Sequence, residues 1–216
     1  MLYMVNEKIL ESIKKARDSK KRNFKQSFDL AINLKNIDFK KPENKIKTEV
    51  NLPHGIGKSV KIGIIADTLT PQTKDLENIV LIRKDQLEGL GKNKKSAKKI
   101  AEECLSFIAE APLMPLVGKH LGPVLATRNR MPTPIPPTTT DLKSIVEQKR
   151  NVIRIQLKDS PTIHLPVGTE NMDDEKIAEN IDAVIKNVIS SLPKGKEQIK
   201  NFIIKLSMGK PVKFTL

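Results

Sequence analysis

The chain is poor in residues that several classes of protein depend on. Its 216 residues include one cysteine, one tyrosine, six phenylalanines and no tryptophan. A single cysteine, Cys104, excludes an internal disulfide and a zinc site built from several thiolates. Cys104 lies in the apolar segment AEECLSFIAE, which we predict to be helical, and the sequence indicates no neighbouring His and Asn that would make it a catalytic nucleophile.

Long hydrophobic runs are also missing. The longest, such as KIGIIAD and NFIIKL, are far shorter than the roughly 20 apolar residues that cross a bilayer. The N-terminus lacks the apolar core of a signal peptide. We therefore expect a cytoplasmic protein with no membrane partner.

Common catalytic motifs are absent from the sequence. It contains no nucleophile elbow G-x-S-x-G, no zinc-protease motif H-E-x-x-H and no dinucleotide-binding G-x-G-x-x-G. His54 and His164 each lie beside a Pro-Gly turn and could approach each other, but a metal site would need a third ligand that the sequence does not indicate. We predict no catalysis, no cofactor and no metal.

The segment LPHGIGKSV (52–60) resembles the end of a phosphate-binding loop, G-x-x-x-x-G-K-[ST]. Leu52 stands where the first glycine should be, and Pro53 removes a backbone N–H from the cradle. The apolar run VKIGIIAD follows where a helix is required and reads as a strand. We interpret the segment as a sharp turn in which Gly55 and Gly57 adopt backbone conformations that other residues resist.

Positive charge is what the chain has in excess. Lys and Arg number 39 against 25 Asp and Glu, which gives a net charge of +14 and an isoelectric point near 9.8. Such an excess suits a polyanion, because each cation near a phosphate releases a condensed counterion. A basic surface on an unrelated protein is the alternative.

Two segments concentrate this charge. KKARDSKKRNFK (14–25) has seven Lys and Arg, and we interpret it as a binding segment because Phe24 interrupts the charge where a helix gives way to a strand. KNKKSAKK (92–99) has five Lys on a predicted helix, and we interpret it as an ordinary solvated helix face, with binding as the alternative.

Hydrophobic periodicity predicts two kinds of structure. Residues 5–20 form an amphipathic helix, and SFDLAINLK, KIKTEVNL, NVIRIQLK and TIHLPVG alternate as strands of an antiparallel sheet with one solvated face. Between them, KIGIIAD and ENIVLI are nearly continuous apolar runs that alternate with helical segments, as in a parallel α/β sheet. The proline-rich segment 131–141 can be neither a helix nor a central strand.

The economical topology is a discontinuous α+β domain, residues 1–57 and 151–216, with an α/β domain, residues 58–150, inserted in it. Both predicted domains are basic, so charge does not indicate which one binds. LPHGIG and HLPVG lie near the two chain crossings, and we predict a hinge there. The hinge residues are His54, Gly55, Gly57, Pro166 and Gly168.

The turn LSMGK (206–210) offers a contact suited to RNA. Gly209 lets another backbone approach, the Ser207 hydroxyl can donate to and accept from a 2′-OH, and Met208 is a deformable apolar plate. With so few aromatic residues, recognition would use shape, sugar hydroxyls and phosphates rather than a stacking platform. An ordinary hairpin turn is the alternative.

Taken together, these segments resemble the family of ribosomal protein L-one, the large-subunit protein of the mobile stalk, in its archaeal form. The matching stretches appear in family order: NFKQSFDLAINL, EVNLPHGIGK, VGKHLGP with MPTPIPP, IHLPVGT, the helix 173–192 and LSMGKPVKF. The resemblance implies an outer α+β domain with an inserted Rossmann-like, three-layer α/β domain. It also implies three RNA partners, namely large-subunit ribosomal RNA, the protein's own messenger RNA, whose translation it represses, and exit-site transfer RNA. The free protein is expected to be a monomer.

The resemblance also implies site residues, carried over by position. Phe24 occupies the family's aromatic position, Ser207 keeps the hydroxyl of a Thr-Met-Gly turn, and Lys210 adds a phosphate contact where the family has Pro. Arg128 and Arg130 lie in a stretch that departs from the family pattern and receive no role. The implied RNA-binding residues are Phe24, Lys25, Asp29, Asn33, Lys158, Asn201, Ser207, Met208, Gly209 and Lys210.

Two other hypotheses stay open at this point. One is an α/β enzyme acting on a phosphorylated or nucleotide substrate, and the other is a nucleic-acid-binding factor of the same fold that is not ribosomal. The missing catalytic constellation argues against the enzyme.

Overall fold

The structure is a computed structural model that describes residues 2–20, 22–39, 46–73, 76–139, 141–157 and 160–215. The chain divides into two compact units. We call Met1–Lys58 with Asn151–Leu216 the discontinuous unit and Ser59–Arg150 the inserted unit. The assignment of residues 1–57 and 151–216 to one domain and 58–150 to another stays a prediction.

Seven helices and ten strands lie in the described residues. The helices are α1 (Leu2–Arg17), α2 (Lys84–Lys92), α3 (Lys94–Glu103), α4 (Met114–His120), α5 (Gly122–Leu125), α6 (Leu142–Asn151) and α7 (Asp174–Ser191). The strands are β1 (Ser27–Leu34), β2 (Lys47–Asn51), β3 (Lys61–Ile65), β4 (Ile79–Ile82), β5 (Cys104–Glu110), β6 (Thr133–Ile135), β7 (Val152–Gln156), β8 (Thr162–Thr169), β9 (Ile199–Leu206) and β10 (Val212–Phe214). None of these helices combines the length and apolar character of a membrane-spanning segment.

The discontinuous unit is built on a four-stranded antiparallel sheet in the order β10-β9-β1-β8. Alternate residues of β1 are buried, namely Phe28, Leu30, Ile32 and Leu34. Helices α1 and α7 pack on this apolar side, α1 against β9 and β10 and α7 against β8. The antiparallel sheet and its solvated second face are therefore as predicted.

Two of the strands predicted for this sheet, KIKTEVNL and NVIRIQLK, lie outside it. The segment KIKTEVNL forms β2, which pairs with β7 in a separate two-stranded antiparallel sheet, Val50 opposite Ile153. Both edges of β1 are already occupied, by β8 and β9. Alternation indicates that a strand has one buried face, but it does not indicate which strand will be its partner.

The inserted unit contains a parallel sheet in the order β4-β3-β5-β6. Its two faces are covered by separate apolar clusters, one containing Ile65 and Phe107 with residues of α2 to α5, the other containing Ile62 and Ile64 with residues of α6. This is a three-layer arrangement. The proline-rich segment contributes only the short edge strand β6, where a missing N–H is tolerated.

One local prediction in the inserted unit is wrong. Cys104 does not lie in a helix, because α3 ends at Glu103 and Cys104 begins the buried strand β5. The segment LMPLVGKHLGPVL is helical but is divided by a break at Leu121 into α4 and α5. Pro123 follows this break, and proline is accommodated in the first turn of a helix but not in its interior.

The segments LPHGIG and HLPVG are linked within the discontinuous unit by Asn180 of α7, a fully buried side chain. Its Nδ2 donates to the carbonyls of Gly55 (2.9 Å) and Val167 (2.9 Å). Its Oδ1 accepts from the backbone N–H of His54 (3.1 Å). Gly55 and Gly57 have φ values of 62° and 73°, as predicted for this turn. The side chain of His54 also pairs with Glu179.

The predicted hinge residues thus have different environments. His54 and Gly55 are held to α7, so movement there would break these hydrogen bonds. Pro166 and Gly168 are inside β8 and pair with Asp29 and Phe28. The carbonyl of Gly57 accepts a hydrogen bond from the hydroxyl of Thr169 (3.5 Å). The hinge assignment stays a prediction.

We predict that Asn180→Ala destabilises the discontinuous unit by roughly 3 kcal/mol, because it leaves two buried carbonyls and one N–H without their partner. Urea denaturation would measure this. The matched control is Asn171→Ala, at an exposed asparagine of the same unit, which should change the free energy of unfolding by less than about 0.5 kcal/mol. Equal midpoints for the two variants would show that the Asn180 contacts do not stabilise the crossing.

Candidate RNA-binding surface

Two large apolar side chains are conspicuously exposed in the described part of the chain. Phe24 is 52% exposed and Met208 is 60% exposed. Phe24 lies in the loop before β1, and Met208 lies in the turn after β9. Because β1 and β9 are antiparallel, with Phe28 opposite Leu206, the two segments meet at the same end of the sheet. An exposed apolar pair rimmed by polar residues is typical of a binding site.

The turn is fixed by Gln26 and Ser27, at the start of β1. The backbone N–H of Met208 donates to Oε1 of Gln26 (3.1 Å), and the backbone N–H of Ser207 donates to the carbonyl of Ser27 (3.0 Å). Gln26 is only 1% exposed. Phe24 is two positions before Gln26, so their Cα atoms are at most about 7 Å apart and the Phe24 backbone lies close to the residue that fixes the turn.

The structure revises what the other turn residues do. The Ser207 hydroxyl accepts from the backbone N–H of Ser27 (3.3 Å), so part of its capacity is used within the chain. A Cβ on Gly209 would lie 2.8 Å from Oγ of Ser19 and 3.0 Å from Cβ of Leu206. A larger residue here would therefore force the Ser19 side chain and Leu206 to shift. Direct RNA contacts by Ser207 and Gly209 stay predictions.

Cations surround the exposed pair. Lys20, Arg22 and Lys25 on one segment and Lys210 on the other are all exposed. None of these four side chains has a described carboxylate as an ion-pair partner. The result is an apolar centre with a positively charged rim, which can contact bases or sugars at the centre and phosphates at the edge.

The solvated face of the sheet continues from this end. A groove of about 550 Å³ crosses it, lined by Asp29, Ala31, His164, Leu165, Pro166, Ile203, Lys205 and Pro211. Asp29 on β1 lies directly opposite Lys205 on β9. Burial raises the pKa of the Asp29 carboxyl above its ordinary value of 3.8, while Lys205, Lys58 and His164 act in the opposite direction. A half-buried carboxylate is thus kept on this face although it is partly desolvated.

Asn33 and Asn201 lie away from the turn. Asn33 is six positions along β1 from Ser27, a distance of about 20 Å. Asn33 donates from Nδ2 to Oδ1 of Asn201 (2.8 Å) and accepts from the hydroxyl of Thr162 (3.0 Å). Asn201 is only 5% exposed. The structure therefore does not bring these two residues together with Met208, and Lys158 lies outside the described residues.

Sequence reasoning missed the residues that position this surface. Arg17 of α1 donates to Asp174 Oδ1 (2.6 Å) and to the carbonyls of Glu170 (2.6 Å) and Met172 (2.9 Å), and it lies over the ring of Phe28. The N–H of Glu170 in turn donates to the carbonyl of Gln26 (2.9 Å). No local pattern marks a polar residue before a strand as buried, so Gln26 could not be recognised from sequence.

The edge of the parallel sheet where an α/β enzyme would bind its ligand is occupied by an internal contact. At the carboxyl ends of β3 and β5, Oε1 of the buried Glu110 accepts from the backbone N–H groups of Asp67 (3.0 Å) and Leu69 (2.8 Å). In an open parallel sheet, a ligand binds at such an edge. In this protein the backbone amides at that edge already donate to the side chain of Glu110.

The remaining candidate reactive groups are also separated or inert. His54 pairs with Glu179 of α7, whereas His164 is exposed on the opposite, solvated face of the sheet, so the predicted approach of the two histidines is wrong. Among the residues that the structure describes, no cluster of three metal-ligating side chains occurs. Burial raises the pKa of the Cys104 thiol to about 11, which leaves almost no thiolate at neutral pH.

Comparison with known proteins gives a consistent result. The model of the ribosomal protein L1p/L10e family matches residues 13–210. A large ribosomal subunit protein uL1 from Pyrococcus horikoshii is 47% identical over 208 residues, which cover 96% of this chain and 95% of the relative. Proteins of the same name from Methanothermobacter thermautotrophicus (46% over 211 residues, 97% and 99% covered) and Methanothermococcus thermolithotrophicus (48% over 210 residues, 96% and 98% covered) are equally similar.

We predict that Asp29→Asn makes the protein more stable at neutral pH. A carboxyl whose pKa is raised on folding contributes most below its ordinary pKa of 3.8, and this contribution is lost as the pH rises through the raised value. Asparagine removes the cost of ionisation, so the gain in Tm should be present at pH 7 and fade as the pH falls toward 3.8. Thermal unfolding across this range would measure it.

The control is Asp18→Asn, at an exposed aspartate of the same unit, which should show no comparable pH-dependent gain. A lower Tm for Asp29→Asn at pH 7 would mean that attraction to Lys205 outweighs desolvation and would contradict the prediction.

Proposed function

The chain belongs to the ribosomal protein L1p/L10e family, and on that premise we propose that its discontinuous unit binds a folded segment of large-subunit ribosomal RNA. Its relatives are named as large-subunit ribosomal proteins, and the chain is accordingly a ribosomal protein of the large subunit rather than an enzyme. The observation that carries the proposal is the exposed pair Phe24 and Met208, held by Gln26 within a rim of cations.

The chemistry of this surface supports recognition of a folded RNA. Phe24 can stack on an unpaired base, and Met208 can cover a base or sugar edge. The surrounding lysines and arginine neutralise phosphates but read no sequence. Asp29 would be repelled by phosphates, so its partner must be a donor, such as a 2′-OH or a base amino group. A carboxylate retained in spite of its desolvation is consistent with a residue kept for binding rather than for stability.

The finer organisation is also proposed. The two compact units correspond to an outer RNA-binding domain and an inserted domain of Rossmann-like arrangement, joined at the two crossings. The groove beside Asp29 extends the proposed RNA surface along the solvated face of the sheet. A single RNA segment that contacts Met208, Asp29 and the Asn33–Asn201 pair would therefore lie along β1. The protein acts in the cytoplasm on the ribosome, and its free form is a monomer.

We further propose the two regulatory and dynamic roles that the family resemblance implies. The same surface binds the protein's own messenger RNA and represses its translation, and the ribosome-bound protein contacts transfer RNA at the exit site. One surface can serve both ribosomal and messenger RNA if the two present the same folded shape, because shape and phosphate position are what a surface of this composition reads.

We predict that Phe24→Ala weakens binding to a ribosomal RNA fragment from the stalk by about 1–3 kcal/mol, the usual value of one stacked base. Met208→Glu should weaken binding at least as much, because it places a negative charge at the centre of the surface. Both side chains are exposed, so folding is preserved. Titrations at one fixed salt concentration would measure the dissociation constants.

Two variants serve as controls. Ser190→Glu adds the same single charge at an exposed position of α7 in the same unit and should leave binding nearly unchanged. Met208→Leu keeps an apolar side chain and should retain most of the affinity. Unchanged binding by Phe24→Ala and Met208→Glu would remove the basis for this surface.

The repressor proposal makes a separate prediction. A reporter preceded by the protein's own messenger leader should be repressed when the protein is expressed, and Met208→Glu should relieve the repression while Ser190→Glu does not. Translation from a scrambled leader is the reference. If the natural leader is not repressed, messenger binding is not part of the function, whatever the affinity for ribosomal RNA.

A further inference from the structure

Helix α3 of the inserted unit presents a row of lysines to solvent. Lys94, Lys95, Lys98 and Lys99 are all exposed, while Ala97 and Ala101 on the other side of the helix are buried in the core. Residues four apart on a helix are neighbours, so the lysines form two adjacent pairs. We call these four residues the α3 lysine ridge.

The α3 lysine ridge begins at the N-terminus of the helix, where positive side chains stabilise a helix least. The N-terminus of a helix carries a partial positive charge, which favours acidic residues in the first turn. Helix α3, like α4, α5 and α6, has no acidic residue in its first turn, whereas α2 has Asp85 there and α7 has Asp174 and Glu175. Lys94 and Lys95 occupy the first turn of α3 instead. The helix dipole and the lysines therefore add to one positive potential at a cost in local stability.

Nearby carboxylates do not neutralise the ridge. Helix α3 carries its two glutamates at the opposite end, where Glu102 pairs with Arg128 and Glu103 with Lys61. Arg130 also donates to the carbonyl of Cys104 (2.7 Å) at that end. Within the described residues, none of the four ridge lysines forms an ion pair. Arg128 and Arg130 thus have structural partners, and the ridge lysines have no ion-pair partner in the described part of the chain.

We propose that the α3 lysine ridge is a second RNA-binding surface, which contacts the phosphate backbone of an RNA double helix without reading its sequence. Lysine is a flexible point charge that suits phosphates at variable positions. An acidic protein partner fits less well, because protein interfaces centre on large apolar or aromatic anchors. In the described residues the large exposed apolar side chains are Phe24 and Met208, and neither belongs to the inserted unit.

The test uses the full chain carrying Lys94→Glu and Lys95→Glu, with a short RNA duplex of arbitrary sequence as the probe. We expect at least about a tenfold loss of duplex affinity at low salt, and a slope of log affinity against log salt smaller by about 1.5, as for two lost phosphate contacts. The Tm should be unchanged or higher, because glutamates suit the first turn of a helix. A stable variant with weaker binding therefore cannot be explained by misfolding.

The matched control is Lys84→Glu with Lys143→Glu. These lysines are exposed in the first turns of α2 and α6 of the same unit, and each lies beside an aspartate, Asp85 or Asp141. The control makes the same change in net charge and should retain duplex affinity within about twofold. An equal loss in the control, or no loss in the ridge variant, would overturn the proposal.

Two RNA probes distinguish the test of the α3 lysine ridge from the test of the proposed ribosomal RNA surface. Met208→Glu should retain most of its binding to the arbitrary duplex and lose the specific fragment, whereas the ridge variant should show the larger loss on the duplex. If Met208→Glu instead abolishes duplex binding while the ridge variant does not, the duplex binds to the discontinuous unit and the ridge has no such role.

Discussion

The discontinuous unit depends on the insertion of β1 between β8 and β9. These eight residues near the N-terminus use both backbone edges to pair with strands that follow the inserted unit, Asp29 opposite both Pro166 and Lys205. The buried side chains of β1 lie on the face of the sheet where α1 packs against β9 and β10 and α7 packs against β8. Without this pairing, β1 has no partner strands, and β8 and β9 lose the strand that lies between them.

The proposed RNA surface is a consequence of the same pairing. The antiparallel register places the loop before β1 beside the turn after β9, and Gln26 then joins them by accepting from Met208. Arg17 and Glu170 hold Gln26 from the other side, through the carbonyl to which Glu170 donates. Hydrogen bonds thus fix the backbone of the turn that carries Met208, which lowers the conformational entropy that RNA binding would cost. The α3 lysine ridge consists of long, flexible side chains, which suits contact without sequence reading.

Much of the fold could be predicted from the sequence, because burial follows periodicity. Alternation in SFDLAINLK predicts the buried face of β1, and continuous apolar runs predict the parallel sheet. The pairing of β2 with β7 could not be predicted, because it joins residues about 100 positions apart in the sequence. The prediction from sequence also misses the end of α3 at Glu103, so that it assigns Cys104 to a helix instead of a strand. For the candidate site, the family resemblance indicates Phe24 and Met208. No local sequence signal marks Gln26 as buried or Glu110 as the acceptor for backbone amides. Nor does one mark Asn33 and Asn201 as a hydrogen-bonded pair at the far end of β1.

The discontinuous unit also determines when the protein becomes competent to bind. A chain is synthesised from its N-terminus, and the inserted unit can complete its own parallel sheet from residues that are close in sequence. Phe24 is made before the inserted unit, whereas Met208 and the strand that positions it are made after it. The two halves of the proposed binding surface therefore meet only after the whole inserted unit has been synthesised, and RNA meets no assembled surface while β9 is still missing. The order of the strands thus delays binding until both parts of the discontinuous unit are present.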